Sequence, residues 1–189
     1  MTKSELRKLY KLKRKSLTPE IVDDWSLKIA NQLLQVEIWH KSYYHLFLTI
    51  QEQNEVNTEF IMNILLGKDK NVVISKSNFK TFEMTHYLLT DNTMIKKNVF
   101  NIPEPMDGLE IQADKIEVVF VPLLAFDKQG HRVGYGKGFY DVFLNKCKPE
   151  TIKIGLSFYE AEDAIDDVFE NDVKLDYCIT PKTIYTFSS

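Results

Sequence analysis

Cysteine is nearly absent. The chain has two, Cys147 and Cys178, far apart and without a second metal-type pair of ligands. A disulfide framework or structural zinc site is therefore not expected, and free buried thiols are the default. No run of about 18 apolar residues is present to span a membrane. The first 20 residues are highly charged and lack an apolar centre, so no secretory leader is expected and the cytoplasm is the simplest location. Internal repeats, low-complexity tracts and linkers are missing as well. Glycine is scarce, with seven in 189 residues, and four of those seven (Gly130, Gly134, Gly136 and Gly138) fall within nine positions.

What is present describes an ordinary globule: 44% hydrophobic and 27% charged residues, with a net charge of -3. A chain of this length suits one domain over residues 1–189, able to bury about 70% of the surface its unfolded form exposes. Charge is unevenly spread. Residues 3 to 15 are strongly basic and residues 160 to 176 strongly acidic, a pattern of either two solvated ends or a nucleic-acid arm.

The glycine cluster sits in the segment VVFVPLLAFDKQGHRVGYGKGFYDVFL, residues 118–144. Val118, Val119, Phe120 and Val121 have the composition of a strand buried on both faces, and Pro122 ends regular pairing. FYDVFLNK then reads as the first turns of a helix. Glycines let a ligand approach the backbone closely, and unpaired amides at a helix start, aided by the helix dipole, attract anions. Arg132 and Lys137 inside the loop reinforce that. The spacing matches neither G-x-G-x-x-G nor the G-x-x-x-x-G-K-[ST] phosphate loop. A plain strand-to-helix turn and an anion site both stay open, and the two interleaved cations favour the second.

The remaining elements alternate. Thr2 and Glu5 form a capping box opening a helix, with Leu6, Leu9, Tyr10 and Leu17 turned inward and Lys3, Arg7, Lys11 and Arg14 forming an adjacent strip. Thr18-Pro19 opens a second helix, whose stripe is Ile21, Trp25, Ile29 and Leu33. Trp25 and Trp39 read as core. Residues 43–50 read as a strand, followed by a helix capped by Asn57-Thr58 and running to about Leu66. Strands are expected at 71–75, at 84–89 as an edge or hairpin partner, at 153–157 and near 175–180. Pro103 and Pro105 should keep their loop out of any sheet. The pattern implies a single three-layer α/β/α domain with a mostly parallel, mixed central sheet.

The central segment resembles the signature of the 5-formyltetrahydrofolate cyclo-ligase (methenyltetrahydrofolate synthetase) family, roughly P-x-L-A-F-D-x-x-G-x-R-L-G-x-G-x-G-Y-Y-D. The matching positions are Pro122, Leu124, Ala125, Phe126, Asp127, Gly130, Arg132, Gly134, Gly136, Gly138, Tyr140 and Asp141. Val133 and Phe139 are the departures and mostly keep character. Phe100-Asn101-Ile102-Pro103-Glu104-Pro105 is similar to a second family segment.

The resemblance implies ATP-driven, magnesium-dependent closure of 5-formyltetrahydrofolate to 5,10-methenyltetrahydrofolate, with release of ADP and phosphate. It implies that Arg132, Val133, Gly134, Tyr135, Gly136, Lys137, Gly138, Phe139 and Tyr140 hold ATP, with Arg132, Lys137 and Tyr140 acting on the transferring phosphoryl group. The family also begins with a helix in which a Lys and an Arg four positions apart reach phosphates, a spacing met by Lys3 and Arg7. Ile50 and Glu55 are implied folate contacts, and Phe100 is a candidate stacking surface for the pterin or else a core residue. Asp141 and Asp176 are the implied magnesium carboxylates, since Mg²⁺ takes one or two of these alongside phosphate and water. The implied partners are thus ATP and a reduced folate, with no nucleic acid and no membrane, and a monomer is the expected state. Two alternatives stand beside this: another phosphate-handling enzyme, such as a sugar-phosphate isomerase, and a nucleic-acid binder using the basic helix.

Overall fold

The computed structural model describes residues 1–187. It opens with helices α1 (Lys3–Lys15) and α2 (Pro19–Leu33), strand β1 (Tyr43–His45) and helix α3 (Glu59–Gly67). Strands β2 (Asn71–Asn78), β3 (Glu83–Leu88), β4 (Ile95–Lys97), β5 (Pro103–Pro105) and β6 (Val118–Pro122) follow. The last part contains β7 (Ala125–Phe126), β8 (Arg132–Val133), helix α4 (Phe139–Lys146), β9 (Ile152–Leu156), β10 (Tyr177–Ile179) and β11 (Ile184–Thr186).

Seven strands form one sheet in the order β11-β10-β9-β6-β1-β2-β3. The five inner strands are parallel, while β3 and β11 pair antiparallel at the two edges. Burial alternates with the pleat. Val118 and Phe120 face a core shared with Ile29, Leu33, Ile61 and Leu65 of α2 and α3. Val119 and Val121 face the opposite core with Phe143 and Leu144 of α4. Helices therefore cover both faces, giving the expected three-layer α/β/α fold with a mostly parallel sheet. Each fully buried aliphatic of β6 contributes about 1.5–3 kcal/mol relative to exposure.

Helix α1 starts on the expected capping box: Thr2 Oγ1 accepts from the Glu5 amide, and the Glu5 carboxylate accepts from the Thr2 amide. Its apolar residues Leu6 and Tyr10 pack on Leu124, Ala125 and Val133, so α1 lies against the glycine segment rather than on either sheet face.

Several expectations give way to tertiary structure. The strand expected over 43–50 stops at His45. The Leu46 amide still bonds the Val73 carbonyl, but further on side chains take backbone groups: Thr58 Oγ1 donates to the Phe47 carbonyl across 2.7 Å, and the Ile50 amide donates to Glu55 across 2.8 Å. Thr58 is thereby drawn away from capping α3. Ile21 is exposed, because Trp25, Ile29 and Leu33 suffice to fill the α2 seam. The prolines at 103 and 105 do not exclude pairing, since β5 forms a two-stranded ladder with β4. The Asn98 amide bonds the Ile102 carbonyl and the Met106 amide bonds the Met94 carbonyl. By the alternation of an antiparallel ladder, positions 103 and 105 are non-hydrogen-bonded, where an imino nitrogen loses nothing.

Candidate active site

The carboxyl ends of β1, β2 and β6 open into a cavity of about 490 Å³, where open α/β sheets usually hold ligands and within the size range of small-molecule sites. One wall is the glycine loop, and its approach is prepared by a tight hairpin. Strands β7 and β8 pair antiparallel, and buried Asp127 closes the turn by accepting from the amides of Gln129, His131 and Ile165. Asp127 is thus a scaffold residue of the motif. Chain direction then reverses through Gly134 to Gly138 into α4. Gly136 has a φ of +93°, a backbone shape that requires glycine, and a Cβ there would press on the Arg7 guanidinium, with Cζ at 3.2 Å.

Cations surround this loop. Arg132 is held on two sides: Nη2 donates to Asp141 Oδ1 at 2.7 Å and Nη1 donates to the Val173 carbonyl. Arg7 Nε donates to the Gly134 carbonyl at 2.9 Å. Lys3 pairs with Asp172 and lies over the Phe169 ring at 4.9 Å. Lys137 is exposed within the loop and makes no side-chain hydrogen bond or ion pair among the described residues.

The strip expected on α1 is therefore turned toward the loop, with its last member the most deeply engaged. Arg14 is 5% exposed. Its Nη1 donates to the Tyr135 hydroxyl at 2.6 Å and its Nη2 to the Leu123 carbonyl at 2.6 Å. Tyr135 in turn donates to Glu55 Oε1 at 2.9 Å. Glu55, 3% exposed, is no surface acid. Burial raises its pKa, opposed by Arg14 and by the hydrogen bonds from Ile50 and Tyr135.

Aromatic rings form the opposite rim. Phe100 is 58% exposed, so it belongs to the cavity mouth and not to the core. It lies 4.6 Å from the Phe79 ring, which meets Phe139 edge-on at 5.0 Å. Deeper in, Tyr140 lies 5.8 Å from the His45 ring, and burial drives its hydroxyl pKa up. His45 Nε2 bonds Ser75 Oγ at 2.9 Å, and the same hydroxyl bonds His86 Nδ1 at 2.6 Å. Burial lowers the pKa of both imidazoles, His86 to about 4 with help from the Lys146 charge, so the pair is neutral at pH 7.

Of the expected site residues, Lys3, Arg7, Ile50, Glu55, Phe100, Arg132, Lys137, Tyr140 and Asp141 all line this one cavity, as do Gly134, Tyr135, Gly136, Gly138 and Phe139. Val133 is fully buried behind it, against α1. Asp176 is not brought there. It lies at the amino end of β10, the far end of the sheet, where its carboxylate accepts from the Lys153 amide at 2.8 Å and pairs with Lys153 Nζ at 3.0 Å. The acid that does reach the cavity is Asp172. Arg14, His45, Ser75 and Asp172 were not singled out in sequence. Only Arg14 left a signal, as the last member of the basic strip.

The model of the 5-formyltetrahydrofolate cyclo-ligase family matches residues 1–181. This chain belongs to that family. A Mus musculus 5-formyltetrahydrofolate cyclo-ligase is 32% identical over 162 residues, 76% of this chain and 78% of the mouse protein. The relative from Mycoplasma genitalium is 30% identical over 179 residues, covering 93% and 97% of the two chains. Among solved structures, the 5,10-methenyltetrahydrofolate synthetase of Aquifex aeolicus superposes with a TM-score of 0.78 at 27% identity, covering 100% of this chain and 94% of that one. The family assignment and the cavity coincide, because the signature residues form its glycine wall.

Proposed function

We propose that the cavity binds Mg-ATP and 5-formyltetrahydrofolate together and closes the folate to 5,10-methenyltetrahydrofolate, with release of ADP and phosphate. The observation that carries this reading is the meeting, in one cavity, of the cationic glycine loop with buried Glu55 and the Phe79–Phe100 rim. The first suits polyphosphate. The second suits a flat heterocycle with a two-donor edge, since a carboxylate accepts such hydrogen bonds and a ring face stacks.

In this reading the formyl oxygen attacks the γ-phosphorus and the bond to the ADP oxygen breaks. N10 then attacks the activated formyl carbon and loses its proton. Departure of phosphate, carrying the former formyl oxygen, leaves the methenyl bridge. No protein nucleophile is needed, so the chain contributes position and charge. Lys137 and Arg7 neutralise the phosphates at the loop, and Arg132 fixes Asp141 and the 172–173 segment. Tyr140 and the His45 ring exclude water from the floor.

Among the described residues no cluster of three or more His, Cys, Asp or Glu is placed to hold a metal unaided. Asp141 and Asp172 instead offer two hard oxygen donors on the phosphate side of the cavity, the donor set Mg²⁺ takes when phosphate and water complete its shell. Bound there, magnesium would neutralise charge on the phosphate oxygens. The step is tested with folate carrying ¹⁸O in the formyl group. The label should appear in the released phosphate, and phosphate free of label would contradict a phosphorylated formyl intermediate.

A further inference from the structure

Tyr135 belongs to the loop assigned to nucleotide, yet its hydroxyl is committed elsewhere. It donates to Glu55 Oε1 at 2.9 Å and accepts from Arg14 Nη1 at 2.6 Å. Each neighbour is anchored in turn. Arg14 Nη2 donates to the Leu123 carbonyl at the end of β6, and the Arg14 carbonyl accepts from Asn54 Nδ2 at 2.7 Å. The second Glu55 oxygen accepts from the Ile50 amide at 2.8 Å. Arg14 and Glu55 are both buried, so these bonds act at low dielectric and resist exchange with water.

The loop itself divides at this point. Gly136, Lys137 and Gly138 are exposed, and both glycines have positive φ. Tyr135 is the member whose side chain reaches into the protein. The Tyr135 hydroxyl thus links the exposed half of the loop, where a polyphosphate would bind, to the Glu55 carboxylate.

We propose that Arg14 and Tyr135 are positioning residues that hold Glu55 for the folate and thereby couple nucleotide binding to folate binding. This rests on the assignment of ATP to the glycine loop and folate to Glu55. The direction is positive: a folate meeting an already oriented carboxylate does not have to order it. Linkage makes the effect reciprocal, so each ligand tightens the other by one common factor.

The test measures 5-formyltetrahydrofolate affinity by titration calorimetry with and without a non-hydrolysable ATP analogue and Mg²⁺, then reverses the roles. The native chain should show a common tightening of about fivefold or more, within the usual range for coupled sites. Tyr135→Phe, which keeps the ring and deletes the hydroxyl, should bring that factor to within about twofold of unity. Steady-state kinetics should agree. Folate KM falls with rising ATP in the native chain and loses that dependence in Tyr135→Phe, a change that simple loss of stability would not produce. If Tyr135→Phe does not fold, Arg14→Lys, which removes the forked donor but keeps the charge, carries the same expectation. Binding of both ligands without mutual tightening, or coupling that survives the substitution, overturns the proposal alone. Failure to bind either ligand overturns the site assignment beneath it.

Discussion

Arg132 and Asp141, nine positions apart in the chain, form an ion pair of 2.7 Å, and the other arm of the same guanidinium holds the carbonyl of Val173. One side chain thus ties the start of α4 to the segment that carries Asp172. With its side chain 7% exposed, Arg132 is a clamp between two acidic segments as much as a free cation for phosphate.

Asp141 and Asp172 line the cavity, whereas Asp176 is held by Lys153 away from it. Asp172→Asn should raise the magnesium concentration for half-maximal activity about tenfold or more, as should Asp141→Asn, because each leaves one hard donor where two stood. Asp176→Asn should leave the magnesium titration unchanged. It removes a partly exposed pair with Lys153, so its stability cost should stay within about 1 kcal/mol. Magnesium titrations of the three variants check this, and a shift confined to Asp176→Asn would reverse the assignment.

Lys137 is exposed in the loop and has no hydrogen-bond or ion-pair partner among the described residues. Lys137→Ala should therefore fold normally and lower turnover about 10²–10³-fold, the range for loss of one charge-stabilising group. Folate affinity should change much less. Single-turnover rates compared with folate titrations separate the two, and an unchanged single-turnover rate would remove Lys137 from the chemistry.

Phe100 supports no core, at 58% exposure. Phe100→Ala should leave the melting temperature within about 2 °C, since surface changes stay within about 0.5 kcal/mol. Folate KM should rise about 2- to 13-fold, matching a stacking contribution of about 0.5–1.5 kcal/mol. Kinetics alongside thermal melts check this. A large loss of stability with KM unchanged would make Phe100 a packing residue.

The fold was legible wherever one rule decided. Thr2-Glu5 and Thr18-Pro19 begin helices where capping chemistry says they must, and the apolar run in β6 could only be a buried strand. Where long-range partners decide, local pattern failed. Residues 47–50 look like strand but leave the sheet, where Thr58 and Glu55 take the Phe47 carbonyl and the Ile50 amide. In the site, the glycine loop was legible because its cations and glycines are contiguous. Asp172 and Asp176 were not distinguishable in sequence, because both lie in one acidic run and distant partners separate them: Lys3 and Arg132 hold residues 172 and 173 at the cavity, while Lys153 holds Asp176 at the amino end of β10. Arg14 was visible as a member of a basic strip, but its burial depends on Tyr135, 121 positions away.

The neutral His45–Ser75–His86 chain makes stability depend on pH. In the folded protein His86 titrates near 4, against 6.5 for an unperturbed histidine. The unfolded chain therefore binds more protons between those values, and stability falls as pH drops from about 6.5 toward 4. The full loss attributable to His86 is of order 3 kcal/mol, since the fall from 6.5 to about 4 is worth roughly 1.4 kcal/mol per pH unit. Denaturant melts at pH 7.5 and 5 should show it, with a smaller pH difference in His86→Asn. An equal difference in that variant would place the dependence on other groups.

The central claim is that one cavity closes a formylated reduced folate at the expense of ATP. Its most direct measurement mixes the protein with 5-formyltetrahydrofolate and Mg-ATP while following the near-ultraviolet absorbance of the conjugated methenyl product and the release of ADP. The account predicts that the two rise together in equal amounts and stop when ATP or magnesium is left out. Nucleotide binding with neither signal moving would contradict it, and would make the glycine loop a phosphate site for a different substrate.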